Sequence, residues 1–114
     1  MNLTINERET QGVAVLEMSG RLVLGEECNA FREKVKQLLA AGKKKILVNL
    51  AETKRVDSTG IGSLVEAVIL TAKQGGEFKL ASLDRIVHNT LRTHRLLPAF
   101  EIFDSEPDAL ATFR

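Results

Sequence analysis

Tryptophan and tyrosine are missing from this 114-residue chain, and its aromatic content is five phenylalanines. Most of these sit in apolar patterns, so a surface that stacks bases on aromatic rings has little to work with. Sixteen basic against fifteen acidic side chains leave a formal net charge of +1. No broad positive field then draws the chain to nucleic acid or to an anionic membrane. The single cysteine, Cys28, excludes an internal disulfide and any zinc site built on paired cysteines. No apolar run reaches the roughly 20 residues that span a bilayer, and residues 1–9 contain no apolar signal core. With 44% hydrophobic and 27% charged residues, one cytoplasmic domain with a single core is expected over residues 1–114. Neither nucleic acid nor membrane is expected as a partner.

What the chain has is regular patterning. Leu3-Thr4-Ile5-Asn6-Glu7 alternates apolar and polar, Thr10-Gln11-Gly12 reads as a turn, and Val13-Ala14-Val15-Leu16-Glu17-Met18 as the returning strand of a hairpin. Gly20-Arg21-Leu22-Val23 reads as a short edge strand ending at Gly25. Cys28, Phe31, Val35, Leu38 and Leu39 recur at spacings of three and four, the stripe of an amphipathic helix. Glu26, Glu27, Arg32, Glu33, Lys34 and Lys36 would face water. Gly42 and Lys43-Lys44-Lys45 close this helix, and the lysine run reads as a solvated helix end.

Ile46-Leu47-Val48-Asn49-Leu50 is expected to be a central strand covered on both faces. Ile61, Leu64, Val65, Val68, Ile69 and Ala72 form the cleanest helical stripe, ended by Gly75-Gly76. Phe78 and Leu80 lie in the next strand, and Ile86, Val87 and Leu91 mark a third helix beginning near residues 82–84. After Pro98 a last strand is expected over residues 100–103. Ser105-Glu106-Pro107-Asp108 then has the form of a helix start, with Ser105 as cap and Asp108 as its reciprocal partner. Leu110 and Phe113 would pin that terminal helix. Alternation from residue 25 onward predicts parallel strands joined by crossover helices. The expected fold is a single α/β domain with a mixed sheet of about four to five strands, about four helices and an N-terminal antiparallel hairpin. The exposed edge of that hairpin could pair with a second copy in a homodimer.

The densest chemistry lies in Val56-Asp57-Ser58-Thr59-Gly60-Ile61-Gly62-Ser63-Leu64, between an apolar strand and a helical stripe. Backbone N–H groups at a helix start are unpaired and the macrodipole is positive there, so negative charge is favoured. An ordinary capped helix start is one reading and a regulatory site the other. Enzyme motifs fail on spacing: Thr59 intrudes into an Asp-Ser-Gly triplet, Val56 replaces the glycine of a nucleophile elbow, and Gly62 is followed by Ser63-Leu64 where a P-loop needs Lys and Ser or Thr. A nucleotide-binding role for Gly60-Ile61-Gly62 is the weakest surviving alternative. His88 and His94 stand six apart, where helical metal-ligand pairs stand four apart. Cys28, on the apolar side of its helix, reads as core filling. No catalytic residue, metal or cofactor is expected.

Asp57-Ser58-Thr59-Gly60-Ile61-Gly62 resembles the Asp-Ser-Ser/Thr-Gly-Leu-Gly signature of STAS domains, the anti-sigma factor antagonist family. Gly20-Arg21-Leu22 is similar to that family's entry to its first helix. Residues 46–50 and 75–80 are similar to the strands on either side of the signature. The resemblance implies a STAS fold and phosphorylation at Ser58 by an anti-sigma factor that is also a serine kinase. The bare form would sequester that kinase, and a serine phosphatase would reset the cycle. It implies a partner-binding surface formed by Asp57, Ser58, Thr59, Gly60, Ile61 and Gly62 with Val23 and Glu26 of the loop before the first helix. Val23 stands where sporulation-type members carry an acidic residue. The competing expectation is a non-switching STAS interaction or scaffold module, in which Ser58 serves the helix start alone.

Overall fold

Alternation along the strands sorts their side chains onto two faces, and each face has its own cover. In the computed structural model, which describes residues 1–114, the elements are β1 (Leu3–Thr10), β2 (Val13–Leu22), α1 (Glu26–Ala40), β3 (Lys45–Val56) and α2 (Ser58–Lys73). They continue with β4 (Glu77–Ala81), α3 (Arg85–Thr93), a 3-10 turn at Leu97–Ala99, β5 (Ile102–Phe103) and α4 (Glu106–Leu110). The sheet order is β1-β2-β3-β4-β5; the first pair is antiparallel and the rest are parallel. Successive right-handed crossovers that always step the same way leave their helices on one face. Accordingly Ala14, Leu16, Ile46, Val48, Phe78 and Leu80 share one cluster with Phe31 of α1, Leu64 of α2 and Leu91 of α3. Burying side chains such as Phe31 and Leu64 stabilises by about 2–3 kcal/mol each.

Val13, Val15, Leu47 and Ala81 point the other way, where α4 covers them with Ala109 and Leu110. The expected single mixed α/β domain with an N-terminal hairpin is thus the observed architecture, and β3 is its central strand.

Four local expectations are corrected. Residues 20–23 do not form an edge strand. Gly20, Arg21 and Leu22 end β2, an interior strand flanked by β1 and β3. Register shifts between Glu17 and Ser19 and between Gly20 and Arg21 break the period that marks a continuous strand. Gly20 adopts φ +111, and any Cβ there would overlap the Asn2 carbonyl oxygen. The last strand is shortened to Ile102–Phe103, because Pro98 enters a 3-10 turn and Phe100 turns into the core. Glu27 is buried, not water-facing: its carboxylate accepts the Asn2 N–H at 2.8 Å. At α4, Ser105 Oγ accepts the Asp108 N–H at 3.2 Å, while the reciprocal bond from Asp108 is not made.

Of the expected close of α1, the glycine turn is observed, while the last helical turn carries no basic side chain and Lys45 already begins β3. Gly42 at φ +79 closes α1 with paired bonds, Lys43 N–H to the Leu38 carbonyl at 2.9 Å and Gly42 N–H to that of Leu39 at 3.0 Å.

On the α4 face, Arg8 joins the hairpin to the C-terminal region. Its Nη2 lies 2.6 Å from Glu106 Oε1 and its Nε 2.6 Å from Glu17, while Asn49 Nδ2 donates to the same Glu106 oxygen at 3.2 Å. The hydrogen bond from Arg8 outweighs burial and holds the Glu106 carboxyl below its ordinary value of 4.5. Glu7, Glu27, Glu77 and Asp84 are lowered as well. A carboxyl with a depressed folded pKa favours the fold when ionised. That stability is present above the unfolded value and lost as pH falls through the folded one. The melting temperature is therefore expected to hold steady near neutrality and to drop progressively below about pH 5. Glu106→Gln should make the acid limb shallower. Thermal denaturation between pH 7 and 3 checks both, and an acid limb identical in the variant would contradict the role given to Glu106.

Candidate functional site

Leu22 of β2 and Val56 of β3 lie opposite each other in the last register position of the pair. The chain leaves the sheet twice at this point, through residues 23–25 into α1 and through Asp57 into α2. Asp57 is extended (φ −86, ψ −176) and caps α2, its Oδ1 accepting the Gly60 N–H at 2.8 Å. Its second oxygen, Oδ2, accepts the Leu24 N–H at 2.9 Å. Its own N–H points to the Leu22 carbonyl at 3.4 Å. One carboxylate thus satisfies a donor that the helix start would leave unpaired and fixes the neighbouring loop.

With Asp57 engaged by main chain on both sides, Ser58 is left free. It is the first residue of α2, it is exposed, and its hydroxyl makes no hydrogen bond within the protein. Thr59 is half-buried. Gly60 is buried under the end of β2: a Cβ there would overlap the Leu22 carbonyl oxygen and stand 2.8 Å from Val56 Cγ1. Ile61, 3% exposed, belongs to the main core. Gly62 faces solvent, and a Cβ there would meet nothing within 4 Å. The two signature glycines therefore have different physical reasons: one is required by packing, whereas the other weakens the helix and no contact within the fold requires it.

The expected surface is split by this geometry. Ser58 and Gly62 are exposed, Glu26 is exposed at the start of α1, and Val23 is half-buried. Asp57, Gly60 and Ile61 hold that surface in shape from below. Leu24, in the loop between Leu22 and Glu26 that belongs to the expected contact, and Ile86, which lies outside it, project to water on the carboxyl-terminal side of the parallel strands at 72% and 60% exposure. Ile86 is placed by Asp84, which caps α3 through the Ile86 N–H at 3.0 Å and pairs with Lys54 of β3 at 3.0 Å. The bond that fixes Leu24 joins residues 33 apart, a distance no local pattern carries. Arg21 and Arg55 are in register on adjacent strands, both exposed and neither ion-paired.

Ser58 has no hydrogen-bonded base to activate it, because the Asp57 carboxylate is occupied and the His94 ring contacts the Thr90 carbonyl at 2.8 Å. Cys28 is buried, and burial pushes its thiol up, away from the reactive thiolate. The arrangement presents a hydroxyl at a positive helix end; it does not assemble a nucleophile.

Comparison with known proteins identifies the family. The family model described as STAS domain matches residues 4–109, and the chain belongs to that family. It is similar to a protein of Paenibacillus polymyxa named anti-sigma F factor antagonist, 26% identical over 110 residues, covering 96% of this chain and 94% of the relative. A crystal structure of a putative anti-sigma factor antagonist from Thermotoga maritima superposes with a TM-score of 0.85 at 24% identity, covering 96% of this chain and 94% of that one. The Bacillus cell fate determinant SpoIIAA in its phosphorylated form superposes at 0.73 with 17% identity, over 95% of this chain and 97% of that one. No helix is long and apolar enough to cross a membrane.

The two glycines give opposite expectations. Gly60→Ala should lower stability by about 1–3 kcal/mol or more, since neighbouring backbone has to move. Gly62→Ala should raise it by up to about 1 kcal/mol, the helix propensity difference. Urea unfolding of both variants measures this, and equal effects would contradict the distinct roles assigned to them.

Proposed function

We propose that this STAS domain is an anti-sigma factor antagonist that works as a phosphorylation-controlled binding switch. With Ser58 bare it sequesters an anti-sigma factor serine kinase. Phosphoryl transfer from ATP to Ser58 Oγ, with ADP leaving, ends that association, and a serine phosphatase restores the hydroxyl. The observation that carries this reading is the exposed, unbonded hydroxyl of Ser58 on a helix start whose neighbouring acid is engaged elsewhere. Since no base stands beside Ser58, the kinase supplies it.

A phosphate there adds about −1.5 to −2 charges. The first-turn donors of α2 and its positive dipole end accept that charge, so the domain stays folded. A partner surface closed over the same spot meets repulsion and an unpaired charge instead. Gly62 fits the same reading: an exposed helical glycine lets a partner approach the α2 backbone closely, at a cost of about 1 kcal/mol of helix stability. Leu24 and Ile86, exposed at the same end of the parallel strands, supply apolar contact to the partner, while Val23 and Thr59 contribute their half-exposed parts.

Ser58→Ala is expected to bind the kinase as the bare protein does. Ser58→Asp should weaken binding roughly tenfold or more without lowering the melting temperature, since an acid at this position suits the helix. Gly62→Ala should weaken binding while stabilising the domain. Calorimetric titration with the host's candidate kinases, alongside thermal denaturation, reads all three. Equal affinity of Ser58→Ala and Ser58→Asp would sink the switch and favour a non-switching interaction module.

A further inference from the structure

The lysine run that reads as a solvated helix end divides in the fold. Lys43 pairs with Glu7 at 3.7 Å, but Lys44 and Lys45 border an open cleft of about 850 Å³ at the amino-terminal ends of β3 and β4, the opposite end of the parallel strands from Ser58. The cleft lies within the size range of small-ligand sites. Lys79 is built into its wall, only 3% exposed. Its Nζ donates to the Thr112 hydroxyl at 2.7 Å and to the Thr112 carbonyl at 3.1 Å. The same ammonium lies 3.3 Å from Glu77 and 3.5 Å from Glu101, and 4.7 Å from the centre of the Phe113 ring.

Lys79 therefore answers the carboxylates of the cleft, and its partners account for its burial. Lys44, Lys45 and Arg114 have no ion-pair partner. Among side chains the lining carries four cations against two carboxylates, a local excess in a chain that is close to neutral overall. The surplus is concentrated at the rim of a concave site, where it can be answered by one multiply charged group.

We infer that this cleft binds a small molecule through a phosphate group held by Lys44, Lys45 and Arg114. Phosphate fits better than a single carboxylate because three cationic side chains without ion-pair partners line the cleft, and a dianion with three acceptor oxygens can engage more than one of them. Backbone donors are not offered: the Gly76 N–H goes to the Thr71 carbonyl and the Glu77 N–H to that of Lys44. Recognition rests on the side-chain cations. The site is distinct from Ser58 and stands or falls independently of the switch.

The test is a titration of the ¹⁵N-labelled full chain with inorganic phosphate and with pyrophosphate, at ionic strength held constant with sodium chloride. Saturable shifts are expected at the amides of Gly75, Gly76, Glu77 and Arg114, with pyrophosphate the tighter probe. The pair Lys44→Glu and Lys45→Glu should weaken binding at least roughly tenfold, as expected for losing charge-assisted contacts. Lys44→Ala alone, at an exposed position, should weaken it by a smaller factor with an unchanged melting temperature. Ser58→Asp should leave it unaltered. Shifts that rise without saturation over all basic residues, that centre on residues 57–62, or that survive the lysine substitutions in a folded protein would overturn the inference.

Discussion

Two connections leave the sheet side by side, one after Leu22 and one after Val56, and the carboxylate of Asp57 is bonded to both. Through Gly60 it starts α2; through Leu24 it sets the loop that leads into α1. Neither bond could be made by an apolar side chain, and the close packing of Gly60 against the end of β2 leaves no room for a Cβ there. The exposure of Ser58 follows from this arrangement. Its neighbour's carboxylate is held by the Gly60 and Leu24 amides, the helix runs on behind it, and its own hydroxyl is turned to water.

That platform separates two responses that are often linked. Charge added at the first residue of α2 meets a positive helix end, so it favours the fold. The same charge at the centre of a closed protein interface lacks a counter-charge and loses its hydration, so it opposes association. A switch built this way needs no conformational change in the domain. Gly62 extends the principle: it weakens α2 on a face that the rest of the molecule does not touch, which is understandable if that face serves a partner more than it serves the helix. Stability given up at an exposed position is a usual sign that something other than folding shaped it.

Much of this was legible in the letters, because the signals concerned were local. The stripes of α1 and α2, a capped start of α2 at Asp57 or Ser58, and the glycine turn after α1 are set by residues within a few positions of one another. What stayed hidden depended on distant parts of the chain. The full length of β2 and the polar second half of β3, Glu52-Thr53-Lys54-Arg55, are strands because they pair with each other across shifted registers. Glu27 is buried because Asn2 reaches it. Lys79 alternates with Phe78 and Leu80 as an exposed residue would, yet the segment from Thr112 to Arg114 closes over it. Of the signature, the resemblance groups Gly60, Ile61 and Gly62 in one surface, although Ile61 also stands in the apolar stripe of α2. Only packing separates the two glycines, Gly60 buried against the end of β2 and Gly62 exposed.

Amide hydrogen exchange of the Ser58-phosphorylated protein, compared with the bare form, bears most directly on the rigid platform that Asp57 builds. Protection of the Leu24, Gly60 and Ile61 amides is expected to be equal or higher after phosphorylation, because their hydrogen bonds persist and the helix end gains a favourable charge. Loss of protection across the first turn of α2 and residues 23–25 would contradict it, and would mean that the phosphate acts by unmaking the junction.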